Sequence, residues 1–119
     1  MPGRKRDHLN ERIRQKLGML LQRESADPRF RAVTIVEVRV AKDLANATVR
    51  FSCYEPGVDA KALAASLNHA AGFFAQALAR SMDTRRTPRL YFAHDPGFDY
   101  AQEIEEKLRA AIADPEGGA

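Results

Sequence analysis

Along residues 6–25, Leu9, Ile13, Leu17, Leu20 and Leu21 recur at three- and four-residue steps. At 100° per residue they share one arc, so the spacing predicts an amphipathic helix there. Asp27-Pro28 ends it, because the residue before proline disfavours helical backbone. The period then changes to two. Over 33–40, Val36, Val38 and Val40 alternate with Glu37 and Arg39. Over 45–54, Ala47, Val49, Phe51 and Cys53 alternate with Thr48, Arg50 and Ser52. Two strands, each burying one face, are predicted, and the short polar link AKDLAN makes them a hairpin.

Residues 59–82 return to helical spacing, with Leu63, Leu67, Phe73, Phe74, Leu78 and Met82 apolar. Gly72 interrupts this run, and a mid-helix glycine costs about 1 kcal/mol relative to alanine. A kink near Ala70-Ala71-Gly72 is therefore predicted, giving two helices at an angle. A third strand follows over 89–94, with Leu90 and Phe92 inward and Tyr91 outward, closed by Asp95-Pro96-Gly97. A short C-terminal helix over 100–113 carries Ile104, Leu108 and Ile112 at four-residue spacing. The order α-β-β-α-α-β describes one α+β domain, a three-stranded sheet covered by helices. It is also the element order of a type II KH domain. Domain limits follow: a loose basic arm over 1–5, the folded domain over 6–113 and a frayed tail over 114–119.

Charge sharpens this picture. The net charge is only +3. Residues 1–31, however, hold nine Lys/Arg against four Asp/Glu, residues 80–94 four against one, and residues 95–119 two against seven. Two basic zones and an acidic end suit a polyanion approached from one side. On the first helix, Lys5, Arg12, Lys16 and Arg23 fall within about 40° of each other along one border of the apolar arc. The second group is Arg80, Arg85, Arg86 and Arg89. Together they are the candidate residues for contacting such a polyanion, expected to form one continuous face.

Other chemistries find little support. His8, His69 and His94 sit on separate elements without metal-ligand spacing, and no phosphate-binding or dinucleotide glycine motif is present. His94-Asp95 is the one conceivable acid–base pair, with no nucleophile placed beside it. No cofactor, metal or catalysis is expected. A single cysteine, Cys53, excludes an internal disulfide and reads as a buried thiol in a reducing compartment. The charged N-terminal stretch excludes a signal peptide or membrane span, so a cytoplasmic location is expected, and nothing demands more than a monomer.

Several segments, in order, resemble the ribosome-binding factor A family. They are Asp27-Pro28-Arg29, Val33-Thr34-Ile35-Val36-Glu37-Val38, Asp43-Leu44-Ala45-Asn46-Ala47-Thr48-Val49, Leu67-Asn68-His69-Ala70-Ala71-Gly72-Phe73, and the run from Arg85-Arg86-Thr87-Pro88 to Asp95. The likeness spans residues 6–108. It implies a type II KH-like fold in which an interhelical Ala-x-Gly kink, here Ala70-Ala71-Gly72, replaces the usual Gly-x-x-Gly loop. It further implies binding to the free small (30S) ribosomal subunit through 16S rRNA, a part in late subunit maturation and rRNA processing, and a role in the cold. Where many members carry arginine after the kink, this chain has Ala75-Gln76. The basic load is thus expected on the two groups named above. Small residues at Ala70 and Ala71 suit close helix packing, and Gly72 is expected to fix the kink. Tyr91 is either a plain exposed tyrosine or a base-stacking platform. The alternative reading is a protein-interaction module that binds a ribosomal protein or an assembly GTPase, its acidic C-terminal helix on a basic partner.

Overall fold

The computed structural model describes residues 3–23, 27–53, 55, 57–84 and 86–113. Helix α1 (Gly3–Arg23) leads through a 3-10 turn (Pro28–Ala32) to strands β1 (Thr34–Val40) and β2 (Asn46–Ser52). Helices α2 (Ala60–His69) and α3 (Ala71–Ser81), strand β3 (Arg89–His94) and helix α4 (Pro96–Ala113) complete the chain. The predicted order α-β-β-α-α-β is the observed one. β2 is the central strand, antiparallel to β1 and parallel to β3. A parallel neighbour needs a crossover, and the α2–α3 pair supplies it.

Helices and sheet meet in a single apolar layer. Ile13, Leu17 and Leu21 of α1, Leu63 and Leu67 of α2, and Phe74 and Leu78 of α3 are buried against Val38, Val49, Phe51, Leu90 and Phe92. Each such side chain is worth roughly 1.5–3 kcal/mol removed from water. Phe30 of the 3-10 turn reaches the same layer, its ring 5.8 Å from that of Phe74. Two polar contacts fix the layers: Asn10 Oδ1 accepts the Val40 N–H at 2.9 Å, and Asn68 grips β3, as described below.

Four expectations need correction. Helix α1 begins at Gly3, so positions 3–5, expected as a loose arm, are helical; residues 24 and 25 and the tail over 114–119 lie outside the described residues. In β1, the register with β2 shifts between Ile35 and Glu37, a bulge. The extra residue turns the strand, so Ile35 is buried and Val36, expected inward, is only half-buried. The interhelical bend falls within the expected Ala70-Ala71-Gly72, but at Ala70 rather than Gly72, with φ −90° and ψ 3°, where the Ala70 N–H is shared between the carbonyls of Ser66 and Leu67, both at 3.1 Å. Gly72 lies within the first turn of α3, exposed, and a Cβ there meets nothing within 4 Å. The bend thus arises from backbone at Ala70, without steric need for glycine. Finally, α4 starts at Pro96 and is 18 residues long rather than short. Asp95 Oδ1 accepts the Phe98 N–H at 3.1 Å, and proline suits the first helical position, so the run expected to be a turn opens a helix.

Candidate nucleic-acid interface

Helix α1 packs its apolar arc on β1 and α3, which leaves the basic border of the wheel at the seam between α1 and α3. One hollow along this seam is lined by Lys16, Met19 and Arg23 from α1 and by Ala77, Arg80 and Ser81 from α3. A second is lined by Arg12 of α1 and by Arg86, together with Leu44 of the β1–β2 turn and Met82. Arg12 and Lys16 stand one helical turn apart, so the two hollows adjoin along α1. Lys5 is exposed on the same border, nearly two turns towards the N-terminus.

The loop after α3 is held in shape by its own hydrogen bonds. Asp83 takes the left-handed conformation (φ 53°), the Thr84 N–H bonds the Ala79 carbonyl at 3.0 Å, and the Asp83 N–H bonds that of Arg80 at 3.3 Å. This closes the helix C-terminus as a Schellman motif. Thr84 Oγ1 then donates to the Arg86 carbonyl at 3.1 Å, and Thr87 Oγ1 to the Ala75 carbonyl at 3.1 Å. Arg86 is therefore carried on a braced segment. Arg85 lies outside the described residues.

Arg89 departs from the expected continuous face. It lines a third hollow with Asn68, Ala71, Gly72 and Tyr91, at the outer edge of β3. That edge is partly closed. The Asn68 amide donates to the Phe92 carbonyl at 3.0 Å, and its oxygen accepts the Phe92 N–H at 2.8 Å. One side chain thus stands in for a neighbouring strand and satisfies both main-chain groups.

The cations divide into two populations. Arg29 bonds Asp27 at 2.7 Å and Ser66 at 2.9 Å. Arg39 bonds Glu37 at 2.8 Å, and Arg50 spans Glu37 at 3.0 Å and Asp95 at 2.6 Å. Arg14 pairs with Glu11, Lys107 with Glu103, and Arg109 with Glu105 and Glu106. By contrast, Lys5, Arg12, Lys16, Arg23, Arg80, Arg86 and Arg89, like Arg6, Arg31, Lys42 and Lys61, form no ion pair among the described residues. Unpaired cations keep their charge available to phosphate; those already paired exert a weaker field. The outer sheet face, with Arg39 and Arg50 tied to Glu37 and Asp95, is accordingly close to neutral. The guanidinium of Arg39, helped by Arg50, holds the Glu37 carboxyl below the usual carboxylate range.

His94 and Asp95 do not act as partners. His94 Nε2 meets Asp99, while Asp95 serves Arg50 and the start of α4. Asp99 also accepts the Cys53 N–H at 2.9 Å, pinning the first turn of α4 to the end of β2. Burial, reinforced by Asp99, pushes the buried Cys53 thiol up, away from nucleophilic thiolate. Among the described residues no cluster of three or more His, Cys, Asp or Glu is placed to hold a metal ion, and no helix is long and apolar enough to cross a membrane.

Met19 was not among the expected site residues, and Leu44 stood only within a family-like segment. Met19 falls outside the buried arc and stays 47% exposed between Lys16 and Arg23. Leu44 sits in a link read simply as polar, and its prominence comes from backbone geometry that residue type does not reveal. Asn68 was visible only as part of a resemblance; its hold on β3 depends on how α2 crosses the strand.

A sequence model described as Ribosome-binding factor A matches residues 5–108. Curated relatives of that name include one from Thermomicrobium roseum, 32% identical over 92% of this chain and 84% of its own length. Another, from Alcanivorax borkumensis, is 36% identical over 91% and 80%. The crystal structure of ribosome-binding factor A from Thermus thermophilus superposes with a TM-score of 0.65 and 28% identity, over 75% of this chain and 94% of that one. Thermus thermophilus coordinates fitted into a cryo-EM map of a 30S–RbfA complex give a TM-score of 0.62 at 28% identity, over 74% and 92%. With nearly its whole folded length matched in sequence and the same architecture in solved relatives, the chain belongs to the ribosome-binding factor A family.

Proposed function

We propose that this protein binds the free small ribosomal subunit through 16S rRNA and assists its late maturation and rRNA processing, without catalysing a reaction. The observation that carries this reading is the row of unpaired cations, Arg12, Lys16, Arg23, Arg80 and Arg86, gathered along the α1–α3 seam. A relative fitted into a 30S complex supports the choice of partner. Folded RNA presents phosphates and shallow minor grooves, which such side chains contact without reading sequence. Lys5 extends the row, whereas Arg89 serves the separate β3 edge. The protein acts in the cytoplasm as a monomer, needs no cofactor, and matters most in the cold, where misfolded RNA escapes slowly.

Co-sedimentation with isolated small subunits, large subunits and joined ribosomes over a range of salt tests this. Selective binding to small subunits with a steep negative slope of log K against log salt is expected. Replacing Lys16, Arg23 and Arg80 together by glutamine should flatten that slope by about two to three. Equal binding to every particle, or a slope unmoved by the triple substitution, overturns the assignment.

A further inference from the structure

Leu44 is exposed (39%) and held in the left-handed conformation, φ 62°, in the turn between β1 and β2. For a branched L residue this backbone is disfavoured, because Cβ crowds the carbonyl that follows; glycine or asparagine is the ordinary occupant. The turn enforces the conformation. The Leu44 N–H bonds the Ala41 carbonyl at 2.9 Å, the Ala41 N–H bonds the Asn46 carbonyl at 2.8 Å, and the Asp43 carboxylate accepts the Ala45 N–H at 3.0 Å. A leucine here therefore costs stability in two ways, through its backbone and through apolar surface left in water. Strain at such a position points to use.

The surroundings say what that use is. Leu44 lines the second hollow with the half-buried Leu9 and Met82, which are backed by the buried Ile13 and Pro88, and with the exposed Arg12 and Arg86. Neither arginine has an ion pair among the described residues. Asp43 is the one carboxylate lining the hollow, already engaged with the turn, so cations outnumber it two to one. A groove for regular duplex backbone would be polar throughout. Apolar side chains beside two guanidiniums instead match a nucleotide taken out of its helix, base against Leu44, Leu9 and Met82 and phosphates on the arginines.

We infer that this hollow receives one unpaired nucleotide of the small-subunit rRNA, with Leu44 as the platform for its base. The inference rests on the proposed ribosomal function and gives it a subsite. Its test is a pair of effects of opposite sign. Leu44→Gly, which relieves the backbone, should raise the midpoint of thermal unfolding by a few degrees. The same substitution should weaken binding to small subunits about tenfold and leave the salt slope unchanged. Leu44→Asn, which tolerates the same conformation with a polar side chain, should weaken binding likewise. Arg12→Gln and Arg86→Gln should each lower the slope by nearly one. Wild-type affinity in both Leu44 variants overturns the subsite, as does a loss of stability in Leu44→Gly. If the wild-type protein fails to bind small subunits, the ribosomal reading falls. An unpaired RNA hexanucleotide then tests the hollow by itself, where binding lost in Leu44→Gly supports the subsite and no binding by the wild type refutes it.

Discussion

Helices α1 and α4 are both long and amphipathic, yet they meet opposite fates. In α1, Ile13, Leu17 and Leu21 are 0% exposed, pressed between β1 and α3. In α4, Ile104, Leu108 and Ile112 are 41%, 59% and 79% exposed, because only the first turn is tied to the sheet, through Asp99 and Asp95. The charges differ in the same sense. Lys107 and Arg109 of α4 pair with glutamates of their own helix, while the basic border of α1 is left free beside α3. Helical periodicity therefore specifies a face, and the path of the chain decides what, if anything, covers it. Of these two helices, α1 joins a buried stripe that holds it rigid to a border of cations that stay unpaired.

The sharpest way to break this comparison is to truncate equivalent leucines. Leu17→Ala should cost about 2–5 kcal/mol in urea unfolding, because it leaves a cavity in a packed layer. Leu108→Ala should change stability by less than about 0.5 kcal/mol. Similar losses at both sites would show that α4 is packed in solution, and the contrast would be wrong.

A second test asks whether the helical layer is held to the sheet by polar contacts as well as by apolar burial. Asn68→Ala strips both partners from the Phe92 main chain and should cost about 1–3 kcal/mol. It also uncovers the outer edge of β3, so concentration-dependent association by light scattering should appear beside the lower urea midpoint. A variant as stable and as monodisperse as the parent would reduce Asn68 to an ornament of the edge.

Smaller effects test the loop that carries Arg86. Asp83→Gly should stabilise by about 0.5–1 kcal/mol, since glycine takes the left-handed C-terminal position without crowding. Destabilisation would mean that the Asp83 side chain does something its backbone does not explain.

The smallest effect lies on the neutralised sheet face. The Glu37 carboxyl, depressed by Arg39 and Arg50, binds its proton less readily folded than unfolded. Its contribution to stability is present above the ordinary carboxylate range and fades as pH falls through its lowered folded value. Exposure limits it to about 1 kcal/mol or less. Glu37→Gln should therefore lower the urea midpoint slightly at pH 7 and leave it unchanged at the acid end, in low salt. A difference that grows on acidification would reverse the assignment.

Much of this was legible in residue order, because alternation and helical spacing reflect which side chains must leave water. The buried stripe and basic border of α1, the alternation of β2 and β3, and the break between α2 and α3 all follow from local pattern. Other features required neighbours. The bulge that leaves Val36 only half-buried is a matter of register with β2. The bend at Ala70 arises from a shared hydrogen bond, where the chain itself drew the eye to Gly72. Arg89 is two residues from Tyr91 and three from Arg86, yet faces the β3 edge rather than the α1–α3 seam.

Residue order by itself determined the element sequence, the apolar faces and where positive charge accumulates, since each depends on side-chain type and on two fixed backbone periods. Tertiary structure alone decided which cations remain unpaired, which apolar face stays open, and that a leucine in the β1–β2 turn stands strained beside Arg12 and Arg86. Those properties depend on distances between segments far apart in the chain, and no local period encodes them.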